Sequence, residues 1–322
     1  MRTDEFDAFG PWIDDVTTVE GTPRLFRSFA IDFTETLLVL KVPRNIARRD
    51  ATPDMNLYDQ LIVVTAETLT VLTRAEDVYG VRAAPHGEVL ALQDTVHLLD
   101  GRLVVHLTSG PSVAISYNGA ARDTITRLVT LLRRLAVPAT SDSASATAPT
   151  APAAAEPTTP TTPLSATSRA RPIEQILRDK RDHGLRSDCV QALRSDPGTT
   201  VVAGHSTTLV RPSAGPLAAL SHRLHPAFVQ GAVVLGDTGG ETSVLHRRDW
   251  IARGRADDLS HGRTTIFAGR ATTVATTEHP VYPAASVVNI TSGAGAVQFV
   301  VPMGSPTGDA LENGRTTTAP AA

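Results

Sequence analysis

Cysteine and lysine are almost missing from this chain, aromatic side chains are few, and long apolar runs are absent. The single cysteine, Cys189, excludes an internal disulfide framework and an all-thiolate zinc site within one chain. Only Lys41 and Lys180 are lysines, so arginine supplies the other 28 of 30 basic side chains. Alanine, threonine, proline and glycine are abundant as well, so a GC-rich codon bias accounts for the skew and it marks no site. No stretch approaches the ~20 apolar residues that a helix needs to span a bilayer. Residues 1–35 have no basic segment followed by an apolar run, so no signal peptide is expected. A net charge of −3 over 322 residues excludes a globally basic nucleic-acid binder and an acidic solvating tail. The expectation is a cytoplasmic protein, peripheral at the membrane at most, with no transmembrane segment and no nucleic-acid partner.

What is present divides the chain. Of the 31 residues from Pro138 to Ser168, 28 are Ala, Thr, Pro or Ser, and Leu164 is the only large apolar one. Such a stretch cannot bury enough surface to offset the entropy of ordering, and its six prolines favour extended, semi-stiff segments. The expected order is an aromatic-containing extension (1–35), a β-rich module (36–137), a disordered linker (138–171), a helix–glycine–helix segment (172–196), a second β-rich domain (197–315) and a disordered tail (316–322). Charge divides with it: residues 1–137 carry 14 basic and 18 acidic side chains, and residues 169–322 carry 16 and 13.

In residues 36–137, short apolar runs rich in β-branched residues lie at 36–42, 58–65, 68–74, 78–84, 88–96, 102–108 and 112–117. Each is bounded by turn chemistry and reads as a strand. Asp100-Gly101 is the dipeptide expected at a tight hairpin turn. The period then changes: Ile125, Leu128, Val129, Leu132 and Leu135 share one helical face, with Asn118 near the cap and Arg133 and Arg134 in the last turn. Seven strands closed by one amphipathic helix resemble the bacterial pleckstrin-homology-like (PH-like) domains. That resemblance covers the N-terminal half and rests on element order. It implies a seven-stranded, partly open barrel of two sheets with the helix across one end, so the fold class expected is mainly β with α, plus a second β-rich domain.

Residues 1–35 carry six of the fourteen aromatics, Phe6, Phe9, Trp12, Phe26, Phe29 and Phe33. Asp4, Glu5, Asp7, Asp14 and Asp15 beside them would be repelled by anionic lipid, so the rings are expected to pack on the barrel wall. In 173–194, two apolar turns (Ile173, Ile176, Leu177; then Leu185, Cys189, Val190, Leu193) flank Gly184. The run Leu177–Leu185 resembles the short helical module found next to bacterial PH-like domains. It lacks the aromatic and the lysine usual in the second helix. Cys189 falls on the apolar face and reads as a packed small hydrophobe. Beyond Thr199 the pattern is β again, at 199–210, 227–235, 242–246, 264–268, 271–276, 286–290 and 296–301.

Candidate chemistry is sparse. Lys41, Arg44, Arg48 and Arg49 lie between the first two strands, where the PH-like resemblance implies an anion-binding loop; Asp50, Asp54 and Asp59 beside them cancel part of that field. His222 and His225 have the spacing of two metal ligands on one helical face, but Pro226 takes His225 out of helical geometry and no zinc spacing completes the set. Asp237-Thr238-Gly239 resembles the catalytic tripeptide of aspartic proteases, which need two such aspartates. Here there is one copy, and Gly236–Gly240 reads equally well as a hairpin turn. No phosphate loop or nucleophile elbow is present. The expected function is therefore a non-enzymatic two-module adaptor without a cofactor, binding a protein partner or an anionic lipid headgroup through Lys41–Arg49. The alternative is a hydrolase or metal-dependent enzyme using Asp237 in a dimeric site or the His222/His225 pair.

Overall fold

The computed structural model describes residues 3–137, 173–196, 198–213, 226–236, 241–254, 258–267, 269–271 and 273–313. Asp237, His222, His225, the whole linker and the tail lie outside these residues. The described residues are mainly β, in antiparallel sheets of which none is closed.

A short helix α1 (Asp4–Ala8) precedes strands β1 (Asp14–Asp15), β2 (Thr36–Pro43), β3 (Tyr58–Thr65), β4 (Thr68–Ala75) and β5 (Val78–Pro85), which form one sheet in that order. Strands β6 (Val89–His97), β7 (Asp100–Leu107) and β8 (Val113–Asn118) start a second sheet, and α2 (Arg122–Ala136) follows. The Asn118 carboxamide accepts from the Ala120 N–H at 2.9 Å and so caps the turn that leads into α2. Ile125, Leu128, Leu132 and Ala136 are the buried stripe of α2, packed with Leu40, Ile62 and Val71 of the first sheet and Leu92, Leu103 and Ile115 of the second.

The continuous apolar run Leu61–Val64 has a simple cause, because β3 is covered on both faces. Ile62 and Val64 face the cluster containing α2, whereas Leu61 and Val63 pack with Phe9, Val16 and Phe26 of the N-terminal extension. The extension's rings therefore cover the sheet, as expected, with Trp12 left 53% exposed.

One turn differs from the expectation. Asp100 and Gly101 lie inside β7, and the hairpin turn is Leu98-Leu99, with Leu98 at φ 56°. Gly101 is used for packing: it pairs with Tyr117 of β8, and a Cβ there would stand 2.3 Å from a ring carbon of Tyr117. The ring laid against that gap lets the Tyr117 hydroxyl donate to Asp94 at 2.6 Å. Gly101→Ala should therefore displace the ring and cost about 1–3 kcal/mol, as overpacking generally does. Urea unfolding of the variant would measure it, and an unchanged midpoint would show that the ring can move freely.

After residues 138–172 come α3 (Ile173–Ile176) and α4 (His183–Ser195), then β9 (Thr200–His205), β10 (Thr208–Val210), β11 (Ala227–Val229), β12 (Ala232–Gly236), β13 (Glu241–His246), β14 (Ile251–Arg253), β15 (His261–Phe267), β16 (Thr273–Glu278), β17 (Ala285–Ser292), β18 (Gly295–Pro302) and α5 (Pro306–Asn313). Strands from both sides of the linker share one sheet, ordered β8-β7-β6-β15-β13-β12-β9. The joint is the antiparallel pair β6–β15, from Ala91↔Ile266 to Val96↔His261. Two smaller sheets, β10-β11-β14 and β16-β17-β18, complete the second half.

The run read as one strand from 199 to 210 is broken at Ser206-Thr207. There the buried Asp182 carboxylate accepts from the Ser206 hydroxyl, the Thr207 N–H at 3.0 Å and the Thr207 hydroxyl at 2.6 Å. Gly184 does not separate two helices as expected. The break spans residues 177–179 and a 3-10 turn at Lys180–Asp182, and Gly184 is in the first turn of α4. Leu177, Leu185 and Cys189 pack on Val233, Leu235 and Leu245, so the helical segment covers an outer sheet face much as the N-terminal extension does in the first half. Burial pushes the Cys189 thiol up to about 11, so it sits there as a neutral apolar group.

Candidate functional site

The four basic residues expected to bind an anion do not share one loop, since Lys41 lies within β2, and each is engaged with a different partner. Lys41 pairs in register with Asp14, and its ammonium lies 5.1 Å from the centre of the Tyr58 ring. Arg44 donates to the Asn56 carbonyl at 3.3 Å and lies 4.0 Å from the Asp59 carboxylate. Arg48 stacks 4.2 Å from the Phe6 ring centre and donates to the carbonyls of Phe6 and Phe9, which ties the N-terminal extension down. Arg49 is exposed, 3.7 Å from Asp50. These contacts position the extension and the loop; they do not assemble one set of convergent donors.

A convergent set occurs elsewhere, in a cleft of about 500 Å³ where both halves meet the helical segment. Arg122 comes from the start of α2, Lys180 and Arg181 from the turn before α4, and Arg247 from the end of β13. Asp258 is the only carboxylate among the described lining residues, beside His183 and His261.

Local structure fixes each of these. The Asp179 side chain accepts from the Arg181 N–H at 2.9 Å and forms the turn that presents Lys180 and Arg181. The Arg181 guanidinium then lies 3.9 Å from the centre of the Phe228 ring, a cation–π contact that holds its orientation. Asp182, directly before α4, directs its carboxylate to Ser206 and Thr207 and makes no side-chain cap on the helix. The positive end of the α4 dipole therefore adds to the field of the cations at His183 and Gly184. Arg247 is 4% exposed and donates to the Ser260 carbonyl. Gly184 makes room for it, because a Cβ there would stand 2.7 Å from an Arg247 nitrogen.

Asp258 offsets part of this charge but leaves the four cations in excess. Its carboxylate accepts from the Gln230 amide at 2.7 Å and the Ser260 N–H at 2.8 Å. Burial acts to raise its pKa, but those hydrogen bonds and the nearby Arg247 charge outweigh burial and hold it below the usual carboxylate range. His261 lies 2.8 Å from Asp188 and ties α4 to β15. The remaining wall is a donor-rich surface suited to holding a phosphate or carboxylate.

Two buried histidines of the second half do not join this site. His205 bonds Thr307 and the Gln230 carbonyl, and His246 bonds Thr264 and the Arg247 carbonyl; both rings are buried. Among the described residues, no group of three or more His, Cys, Asp or Glu side chains could hold a metal ion. No helix among them is long and apolar enough to cross a membrane. The cleft itself was not visible in the sequence, since its four cations come from segments up to 125 residues apart (Arg122 to Arg247), and only the pair Lys180-Arg181 is adjacent. Compared with protein-family models, with curated proteins and with solved structures, the chain matches none.

Proposed function

We propose that the protein is a non-enzymatic two-module adaptor that holds an anionic group, phosphate or carboxylate, in the cleft between its halves. The observation that carries this is the lining: Arg122, Lys180, Arg181 and Arg247 against a single carboxylate already committed to internal donors. A cleft that draws on both halves and on the helical segment between them would also couple an anion to their relative position.

We further propose that both halves are PH-like modules. What supports this is the recurrence of one order, a four-strand meander, a three-strand meander and a closing helix. It runs β2–β5, β6–β8 and α2 in the first half, and β9-β12-β13-β15, β16–β18 and α5 in the second, where β10, β11 and β14 are inserted and form a sheet of their own. The helix occupies a like position each time, since Leu311 of α5 packs with Val288, Val297 and Phe299 as the α2 stripe packs in its own module.

Calorimetric titration with inorganic pyrophosphate tests the cleft. Binding should weaken with added salt, and Lys180→Ala/Arg181→Ala should lower affinity about tenfold or more, since a charge-assisted contact contributes roughly 1.5–3 kcal/mol. Lys41→Ala/Arg49→Ala should bind as the unaltered chain does. Equal affinity in the Lys180/Arg181 variant would remove the proposal.

A further inference from the structure

Three large apolar side chains stand in solvent at the mouth of the cleft. Leu98 and Leu99, the turn between β6 and β7, are 68% and 65% exposed, and Leu259, before β15, is 61% exposed. Leu98 and Leu259 are themselves lining residues of the cleft. Scattered exposed leucines need no explanation, but three from two distant segments at the rim of one cationic cleft form a patch.

Leu98 is also in the left-handed region, at φ 56°. Two-residue hairpin turns place Asn, Asp or Gly at such a position, because a bulky side chain there is strained. Packing does not account for a leucine held in that conformation with most of its surface in water. Strain kept at an exposed tip is a feature from which a contact outside the molecule is reasonably inferred.

We infer that this rim docks on an anionic lipid bilayer, with Leu98, Leu99 and Leu259 entering the acyl boundary and Lys180 and Arg181 taking lipid phosphates at the cleft mouth. The inference rests on the cleft binding anions. Asp100 beside the tip is paired with Arg248, and Asp258 beside Leu259 is held by Gln230 and Ser260. Charge complementarity then selects the surface: an apolar tip with Arg122, Lys180, Arg181 and Arg247 in excess behind it matches the hydrocarbon boundary and the anionic headgroups lying just above it. The chain as a whole is acidic, at −3, so attraction to such a surface has to be local. The cleft supplies it where the leucines are.

Co-sedimentation of the full chain with vesicles tests this, using phosphatidylcholine alone and phosphatidylcholine mixed with phosphatidylserine. The unaltered chain should sediment with the mixed vesicles and stay in solution with the neutral ones. Leu98→Asn/Leu99→Gln, which adds no charge, should lower partition about tenfold or more, as expected for withdrawing two leucines from hydrocarbon. Leu99→Gln alone, outside the cleft lining, should lower partition while binding pyrophosphate with unchanged affinity. Asparagine tolerates the left-handed conformation better than leucine, so a melting temperature equal to or above that of the unaltered chain would show that the double variant is folded. Lys180→Ala/Arg181→Ala should lower both vesicle and pyrophosphate binding. If pyrophosphate binds but mixed vesicles do not, the bilayer inference is overturned and the anion-binding cleft stands; if neither binds, both are overturned. Equal partition of the leucine variant, or a dimer in light scattering that the leucine substitutions dissociate, would also overturn it, the latter because a second copy would then be what covers the patch.

Discussion

Replacing Arg270 with alanine is expected to lower the unfolding free energy by about 1.5–3 kcal/mol, the range for hydrogen bonds made by a charged group. Arg270 lies between β15 and β16 in the second half, where its guanidinium is 5.5 Å from the Phe267 ring centre, and it donates to backbone carbonyls of the first half. One nitrogen donates to the carbonyls of His86 at 2.6 Å and Val89 at 2.7 Å, and the other donates to the Ala136 carbonyl at the end of α2. Burial pushes the Arg270 pKa down, as it does for a cation drawn out of water. A cation at the C-terminal end of a helix also meets the negative end of its dipole. One side chain thus fastens the entry to β6 and the exit of α2 to the other half of the molecule. Lysine should restore less than half of the loss, because a single ammonium cannot reproduce the planar fork that reaches three carbonyls. Urea unfolding would measure the size, and hydrogen exchange in the last turn of α2 would place it. A change within about 0.5 kcal/mol, the level of an ordinary surface substitution, would mean the clamp contributes nothing.

Clamps of this kind explain which parts of the fold could be read from the chain. The seven strands and the helix of residues 36–137 were legible because each is short, internally periodic and closed by its own turn chemistry. The β6–β15 pairing was not, because a ladder between distant strands leaves no local mark: Leu92 and Thr265 carry nothing that names each other. Local signals also lost where a distant group competed. Asp100-Gly101 has the chemistry of a turn, yet Tyr117 needs the space over Gly101, so the turn moved to Leu98-Leu99. The strand from 199 to 210 lost its continuity to the Asp182 carboxylate, which belongs to another segment. The site follows the same rule. Charge density between β2 and β3 was plain, but its use by Phe6, Phe9 and Asp59 was not. Arg122, Lys180, Arg181 and Arg247 form a cluster only after the sheet has joined the two halves.

Stability should also fall as the solution is acidified through a window set by two histidines. His205 accepts from the Thr307 hydroxyl at 2.7 Å and donates its other ring N–H to the Gln230 carbonyl at 3.0 Å. His246 donates to the Arg247 carbonyl at 2.5 Å, accepts from the Thr264 hydroxyl at 2.8 Å and stacks 4.4 Å from the Trp250 ring. Each ring is therefore held neutral, with one nitrogen needed as an acceptor. Burial pushes both pKa values down to about 4, from an ordinary 6.5. The sign follows from proton uptake. Below pH 6.5 the unfolded chain protonates these rings while the native one does not, so stability is full above that pH and is lost as pH falls toward 4. At about 1.4 kcal/mol per pH unit, each ring accounts for a loss on the order of 3 kcal/mol across the window. His106, also lowered by burial, acts in the same direction. Asp14 and Asp94, both raised chiefly by burial, act oppositely toward the acid end and offset part of the fall. Urea midpoints measured between about pH 7 and pH 5 should therefore decline steadily. His246→Gln, which keeps a donor and an acceptor but cannot take up a proton, should be less stable at neutral pH and show roughly half that slope. A slope equal to that of the unaltered chain would mean that His246 does not titrate in this window.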